Sequence, residues 1–489
     1  MKFSSPSQNL TSIIHNLTFK IQNPKFKIQN LFSHKGLRRY GVNTAWLFTE
    51  QILRMIAGFL VGVWVARYLG PEKFGIFSYS LAFVSLFGGI AKLGLDGIVV
   101  RDLVKEPEKK EIYLGTSFWL KLIGGIITFS IIIIALIFQS VLKYFPSLIH
   151  NPKFIIQNLI FTYLSLLTSH LFTSTNIYIL IIAFGIIFQS FEVIDFYYQA
   201  TVQAKYISIR KMIQLFLSSI IKIILVLVKA DLIWFVLVTL FDSISLSVFS
   251  WWIYKSQGLP NFIKYFKWNI AKRLLKDSWP LVLSSIAIAI YMRIDQVMIK
   301  NMLGDREVGL YSAAVKVVEV WYFIPMIITQ SVFPAIVNAK KVSEELYYGR
   351  LVQLYTIIKL IAVFIALPIT LLSGKIINLL YGESFVRSSI VLSISIWSGF
   401  FAFLGTVTSQ MVIINNKQKY GLISTISGGV SIILFNIVLI PRLEIVGAAI
   451  STVIAQIVSG LIIPLFFRYD KYYPQIIFTT KLFEKEKLK

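Results

Sequence analysis

The chain has 489 residues, 56% hydrophobic and 15% charged, with a formal net charge of +25. A soluble chain of this size would carry about a quarter charged residues, so the composition excludes an ordinary soluble domain and predicts a polytopic membrane protein. No cysteine is present, which excludes disulfides, thiolate metal sites and cysteine nucleophiles.

Residues 1–40 are polar and basic and lack the apolar core of a signal peptide, so they read as a tail. Their Asn23-Pro24-Lys25-Phe26-Lys27-Ile28-Gln29-Asn30-Leu31 recurs as Asn151-Pro152-Lys153-Phe154-Ile155-Ile156-Gln157-Asn158-Leu159. Recurrence in such unlike contexts reads as inserted low-complexity sequence, and about 143–175 is taken as an atypical external insertion. All four histidines (His15, His34, His150 and His170) lie in or near these segments. That placement argues against histidine chemistry in the bundle.

Apolar runs long enough to cross about 30 Å of hydrocarbon predict twelve spans. They lie near 44–69, 76–98, 113–139, 176–200, 207–229, 232–254, 278–300, 308–336, 351–373, 389–412, 420–440 and 445–467. Residues 154–173 are the candidate for a thirteenth, but counting them would turn the six-cation loop 255–276 outward. The turn after the first span, Leu69-Gly70-Pro71-Glu72-Lys73-Phe74-Gly75-Ile76-Phe77-Ser78, is echoed after the seventh by Leu303-Gly304-Asp305-Arg306-Glu307-Val308-Gly309-Leu310-Tyr311-Ser312. A parallel repeat of six spans predicts two pseudo-symmetric lobes about an axis along the membrane normal, facing a central cavity. The division is a tail at 1–40, an N-lobe at 41–254, a basic linker at 255–276, a C-lobe at 277–468 and a basic tail at 469–489.

Alternate loops hold 18 basic residues against nine in the opposite set. The positive-inside rule then places the rich loops and both termini in the cytoplasm. The net charge reads as topology, not nucleic-acid binding. In the linker, Lys264, Lys267, Lys272, Arg273 and Lys276 alternate with Phe262, Phe266 and Trp268. That pattern suits either an amphipathic segment on the anionic inner leaflet or a plain solvated loop.

Charges within spans are costly and usually face a cavity or a partner. Arg54, Arg293, Lys316 and Lys359 are the candidate substrate-binding cations. Asp295 and Glu319 are candidates for ion coupling or charge pairing, with Lys316 and Glu319 spaced to pair on one helix face. Lys121, Lys222 and Asp195 lie close enough to span ends to reach the headgroups. Guanidinium and ammonium groups in a low-dielectric cavity suit a polyanion, above all phosphate. Trp64, Tyr68, Tyr291, Trp321 and Tyr322 fit an aromatic belt or stacking on sugars. No phosphate-binding loop, nucleophile elbow or HExxH pair occurs, so a transporter is expected, not an enzyme, and no cofactor. A coupling cation or the membrane potential is the expected driving force.

Ala66-Arg67-Tyr68-Leu69-Gly70-Pro71-Glu72-Lys73-Phe74-Gly75-Ile76-Phe77, Leu93-Gly94-Leu95-Asp96 and Val100-Arg101-Asp102 resemble the start of the polysaccharide-biosynthesis membrane proteins. These are the O-antigen flippases of the multidrug/oligosaccharidyl-lipid/polysaccharide exporter superfamily. Arg293-Ile294-Asp295-Gln296-Val297-Met298-Ile299 and Val308-Gly309-Leu310-Tyr311-Ser312-Ala313-Ala314 resemble the start of that family's second half, and Ile440-Pro441-Arg442 with Val446-Gly447-Ala448-Ala449 a late-helix motif. The likeness covers roughly 41–470. The first 40 residues and about 143–175 depart from it, and two further C-terminal spans of many relatives have no counterpart. The resemblance implies flipping of undecaprenyl-diphosphate-linked oligosaccharide across the bacterial inner membrane by alternating access. It also implies pyrophosphate held by cavity cations, here Arg54 and Arg293, and a glycan polymerase as partner. A cation-coupled multidrug exporter of the same superfamily is the alternative. A membrane glycosyltransferase or polymerase fits poorly, because the external loops other than 140–175 are short.

Overall fold

The structure, a computed structural model, describes residues 34–150, 173–415, 417–469 and 473–474. Residues 1–33 of the expected tail, residues 151–172 of the expected insertion and nearly all of 470–489 lie outside the described residues, and with them all but the last residue of the candidate span at 154–173. Every regular element described is helical. In hydrocarbon no water satisfies the backbone, so each segment must close its own hydrogen bonds.

Helix α1 (His34–Lys92) is broken at Gly70, whose φ of 70° is a conformation that costs glycine little. Pro71 follows and needs no donor at a helix start. The two parts, 34–69 and 71–92, are spans 1 and 2. The short α2 (Asp96–Lys105) leads to α3 (Lys110–His150), span 3. Span 4 is α4 (Ser174–Phe188) joined to α5 (Val193–Ala200) through one 3₁₀ turn, and spans 5 and 6 are α6 (Ala204–Leu227) and α7 (Leu232–Ser256).

The C-lobe repeats this order. Span 7 is α8 (Trp268–Leu303), and span 8 is α9 (Asp305–Glu319) with α10 (Phe323–Val342). Spans 9 and 10 are α11 (Glu344–Tyr381) and α12 (Ser388–Ile414). Helix α13 (Gln418–Ile457) breaks at Glu444 and, continued by a π turn and α14 (Ile463–Phe466), supplies spans 11 and 12. Nine described helices are long and apolar enough to cross a membrane. Two of these are the broken double spans, and α6 joins them despite Lys205, Arg210, Lys211 and Lys222, giving the expected twelve.

The two repeated turns meet each other. A Cβ on Gly75 would lie 1.7 Å from the Asp305 carbonyl oxygen, and one on Gly309 would lie 1.9 Å from that of Pro71. The starts of spans 2 and 8 are thus in backbone contact across the pseudo-two-fold axis. A single apolar core continues through both lobes at this end, with Phe74 and Phe77 beside Val308, Tyr311 and Phe385. Arg67 Nη1 donates to the Leu379 carbonyl across the lobes (3.5 Å). This repeat face is sealed. Towards the linker face, by contrast, the first half of span 1 (41–60) is mostly exposed, Gln51 included, with Arg54 half-buried.

The linker differs from a surface-lying amphipathic segment. Phe262 is fully buried against Phe118, Trp251 and Tyr254, and residues from Trp268 onward already belong to α8. Ala271 and Leu274 complete an N-lobe core. Arg273 donates to the Tyr113 hydroxyl (2.6 Å) and Asp102 (3.3 Å), while Arg101 bridges Asp102 (2.8 Å) and Asp277 (3.1 Å). Span 7 therefore begins pinned to the N-lobe and ends in the C-lobe. Of the linker aromatics, Tyr265, Phe266 and Trp268 remain exposed.

Candidate functional site

Burying an ion without a partner costs several kcal/mol, so the partners of the intramembrane charges separate structural groups from free ones. In the N-lobe the charges are consumed internally. Lys121 is buried and bonds Glu192 at 2.9 Å, and Arg210 bonds Asp195 at 2.7 Å. Lys222 bonds Asp242 at 3.2 Å, and Gln214 donates to the same carboxylate at 2.7 Å. Lys121, Lys222 and Asp195 are therefore ion-paired between helices and do not reach out to the headgroups; a carboxylate within reach outcompetes the snorkelled position.

Arg54 bonds Glu50 one turn back on its own helix, with Nε at 2.6 Å. Arg293 of span 7 reaches Glu319 of span 8 at 3.1 Å. Glu319 thus pairs with Arg293, not with Lys316 on its own helix. Lys316 has no carboxylate within ion-pair distance among the described residues. Its ammonium lies 5.0 Å from the centre of the Phe74 ring and 3.5 Å from where a Gly62 Cβ would sit, both on the N-lobe. Glycine at 62 leaves the space that the ammonium approaches. The structure therefore brings Arg293 and Glu319 into contact, with Lys316 one turn before Glu319 on the same helix. Lys359 is half-buried on span 9 and lines no part of the cavity described next.

That cavity lies inside the C-lobe, between spans 7, 8, 10, 11 and 12, with a volume of about 530 Å³. Asp295 and Glu319 line it; lysine, arginine and histidine do not. The buried Asp295 carboxylate accepts from the Tyr311 hydroxyl (2.6 Å), Asn436 Nδ2 (2.7 Å) and Thr452 Oγ1 (2.9 Å). These donors are neutral, and no cation pairs with Asp295 among the described residues. No cluster of three or more His, Cys, Asp or Glu side chains suited to a metal occurs among the described residues. Of the aromatics, Tyr291 and Tyr322 line the cavity, Tyr68 donates to the Ala230 carbonyl and Trp64 is exposed.

Ionisable residues were visible in sequence; the neutral polar lining was not. Gln296, Gln330, Gln410 and Gln456 line the cavity, and Asn436 is fully buried within a span (420–440) that carries no charged residue. Uncharged amides inside hydrophobic runs were the available signal, because an amide there also needs a partner.

Residues 41–340 match the polysaccharide biosynthesis protein family. The chain is 22% identical over 194 residues to the capsular polysaccharide biosynthesis protein CapF of Staphylococcus aureus (39% of this chain, 49% of that protein). It is 24% identical over 201 residues to a putative O-antigen transporter of Shigella flexneri (41% and 47%). The matches thus span about half the length of these curated relatives. Among solved structures, an inward-facing multidrug resistance MATE family transporter of the MOP superfamily aligns with TM-score 0.63 at 17% identity, covering 88% of this chain and 96% of that one. The lipid II flippase MurJ aligns with TM-score 0.59 at 19% identity, covering 89% and 90%. The fold is that of these transporters, and the chain, a multi-pass membrane protein, belongs to the polysaccharide biosynthesis protein family.

Proposed function

We propose that the protein flips a polyprenyl-diphosphate-linked oligosaccharide across the bacterial inner membrane by alternating access between its two lobes. The observation that carries this reading is Lys316, which stands one turn from the Arg293–Glu319 pair, approaches Phe74 and Gly62 of the other lobe and has no carboxylate of its own. A diphosphate supplies the missing anion, and Arg293 offers a planar fork to its oxygens once Glu319 is displaced. The 18-to-nine cation bias supports a cytoplasmic linker face and cytoplasmic termini. On that orientation the sealed repeat face is periplasmic, and the exposed first half of span 1 lies towards the cytoplasm. The lipid tail stays in the bilayer while the head crosses, and a glycan polymerase takes the product on the far side.

Asp295 is suited to energy coupling, because a proton or monovalent cation there would complete a site already equipped with oxygen ligands. The same residue supports the second reading, a cation-coupled drug exporter. The test is complementation of a flippase-deficient strain, with protein level checked. Lys316→Ala and Arg293→Ala should abolish surface glycan. Full complementation by both variants would reject the diphosphate site.

A further inference from the structure

The C-lobe cavity is chemically unlike the cationic group beside it. Its lining includes four glutamine side chains, several serine and threonine hydroxyls, and the rings of Tyr291 and Tyr322. Among the described residues, none of the carboxamides of Gln296, Gln330, Gln410 and Gln456 is engaged in a hydrogen bond with the protein, although Gln296 is buried. Each carboxamide offers two donors and an acceptor. Gln296 is buried, Gln410 and Gln456 are half-buried and Gln330 is exposed, and unpartnered carboxamides lining one space suit a neutral, hydroxyl-rich ligand that can meet both their donors and their acceptors.

Three other occupants fit poorly. A diphosphate would find no cation in the wall. A lipid tail would strand the amides and hydroxyls. A cationic amphiphile would find Glu319 already paired with Arg293 and Asp295 buried behind Tyr311, Asn436 and Thr452, with room for no bulky cation. A sugar ring meets both halves of the lining, its hydroxyls the amides and its C–H face the tyrosines. A volume of about 530 Å³ falls within the roughly 300–1,000 Å³ of sites that enclose a drug-sized molecule, the size class of a disaccharide. Glu319 belongs both to the cavity wall and to the Arg293 pair, so cavity and cations are contiguous.

We infer that the C-lobe cavity is a glycan subsite, which takes the first one or two neutral sugars of the substrate while the diphosphate rests on Lys316 and Arg293 outside it. This rests on the flippase reading. It divides recognition into a charged part common to every polyprenyl-diphosphate substrate and a neutral part that selects the sugar.

The test uses the full chain in nanodiscs. The probes are undecaprenyl diphosphate alone and the same lipid carrying a hexose, an N-acetylhexosamine or a disaccharide of either. At least one sugar-bearing probe should bind about tenfold or more tightly than the bare lipid, equivalent to one or two net hydrogen bonds. The double variant Gln296→Leu with Gln456→Leu should erase that gain and leave bare-lipid binding within about twofold, which also reports an intact fold. Lys316→Gln should weaken every probe by a similar factor. The subsite is overturned if no sugar in the set adds affinity, if the gain survives the double variant, or if the double variant weakens the bare lipid equally. Tight ethidium binding lost in the double variant would also overturn it, by assigning the cavity to a cation. Failure of the bare lipid to bind wild-type protein overturns the flippase reading itself, a different result from a bare lipid that binds without a sugar-dependent gain.

Discussion

Replacing Gly309 with alanine should open the repeat face. The added Cβ would lie 1.9 Å from the Pro71 carbonyl oxygen, 2.8 Å from its carbon and 3.0 Å from the Gly75 nitrogen. Non-bonded heavy atoms rest at roughly 3.5 Å, so the starts of spans 2 and 8 must separate by about 1.5 Å. The obstacle is backbone on both sides, with no flexible side chain to yield. Alanine in a helix is favoured over glycine by up to about 1 kcal/mol. Overpacking of a dense contact costs about 1–3 kcal/mol, so in the sealed state the clash outweighs that gain. With the lobes apart, only the helix preference remains. The ratio of unsealed to sealed forms should rise between about fivefold and 150-fold, taking the clash alone. Gly75→Ala should act in the same way, and the double variant should show less than the sum, because both press on one contact. The chain has no cysteine, so Ser312→Cys, buried one turn below Gly309, is a clean reporter. Its labelling by an impermeant maleimide from the repeat face should rise at least fivefold in the Gly309→Ala background. Gly88→Ala, whose Cβ meets nothing within 4 Å, is the control and should change nothing. Equal labelling of Ser312→Cys in the presence and absence of Gly309→Ala, at matched expression, would refute the assignment of this contact as the seal.

Other outcomes follow from the same geometry. Ser256→Cys should be protected from impermeant reagent outside intact cells and Ser384→Cys labelled, since they lie on the linker and repeat faces respectively; the reverse pattern would invert the topology. Arg54→Ala should reduce complementation less than Lys316→Ala, because Arg54 already has Glu50 on its own helix; equal loss would place Arg54 in the site. Asp195→Ala should cost about 3–5 kcal/mol by leaving Arg210 buried and unpaired, while Lys73→Ala, whose partner Asp231 is exposed, should cost under about 1 kcal/mol; thermal melts in detergent compare the two. Asp295→Asn should leave expression intact and remove the dependence of transport on an ion gradient, as measured in vesicles with imposed sodium or pH gradients.

Twelve spans and two lobes were legible because the bilayer leaves the backbone almost no alternative to a helix. The break at Gly70 was marked by its repeat at Gly304, and both positions take the positive φ that the turn requires. What the repeat did not disclose is that the two turns touch, since a sequence match carries no distance. Side-chain pairing was the least legible part. Lys316 and Glu319 have the spacing of a helical pair, yet Arg293 takes the carboxylate from another helix. Linear spacing ranks only the partners on one element; packing decides among elements.

The repeat also conceals a division of labour. Spans 1–6 and 7–12 share a plan, but Lys121, Arg210 and Lys222 close the N-lobe interior with ion pairs. In the C-lobe, Asp295 is met only by neutral donors, and four amides face an open cavity. Ion pairs bind helices to one another and hold one arrangement, whereas unpartnered amides gain by meeting a ligand. The N-lobe is thereby suited to move as a rigid body and the C-lobe to respond to what it holds. Span 7 joins the two, pinned at Arg273 to the N-lobe and carrying Arg293, Asp295 and Gln296 into the C-lobe. Substrate or cation bound at those three residues acts directly on the helix that couples the lobes, and Tyr311, which bonds Asp295 and stands two residues from Gly309, carries the same occupancy to the seal.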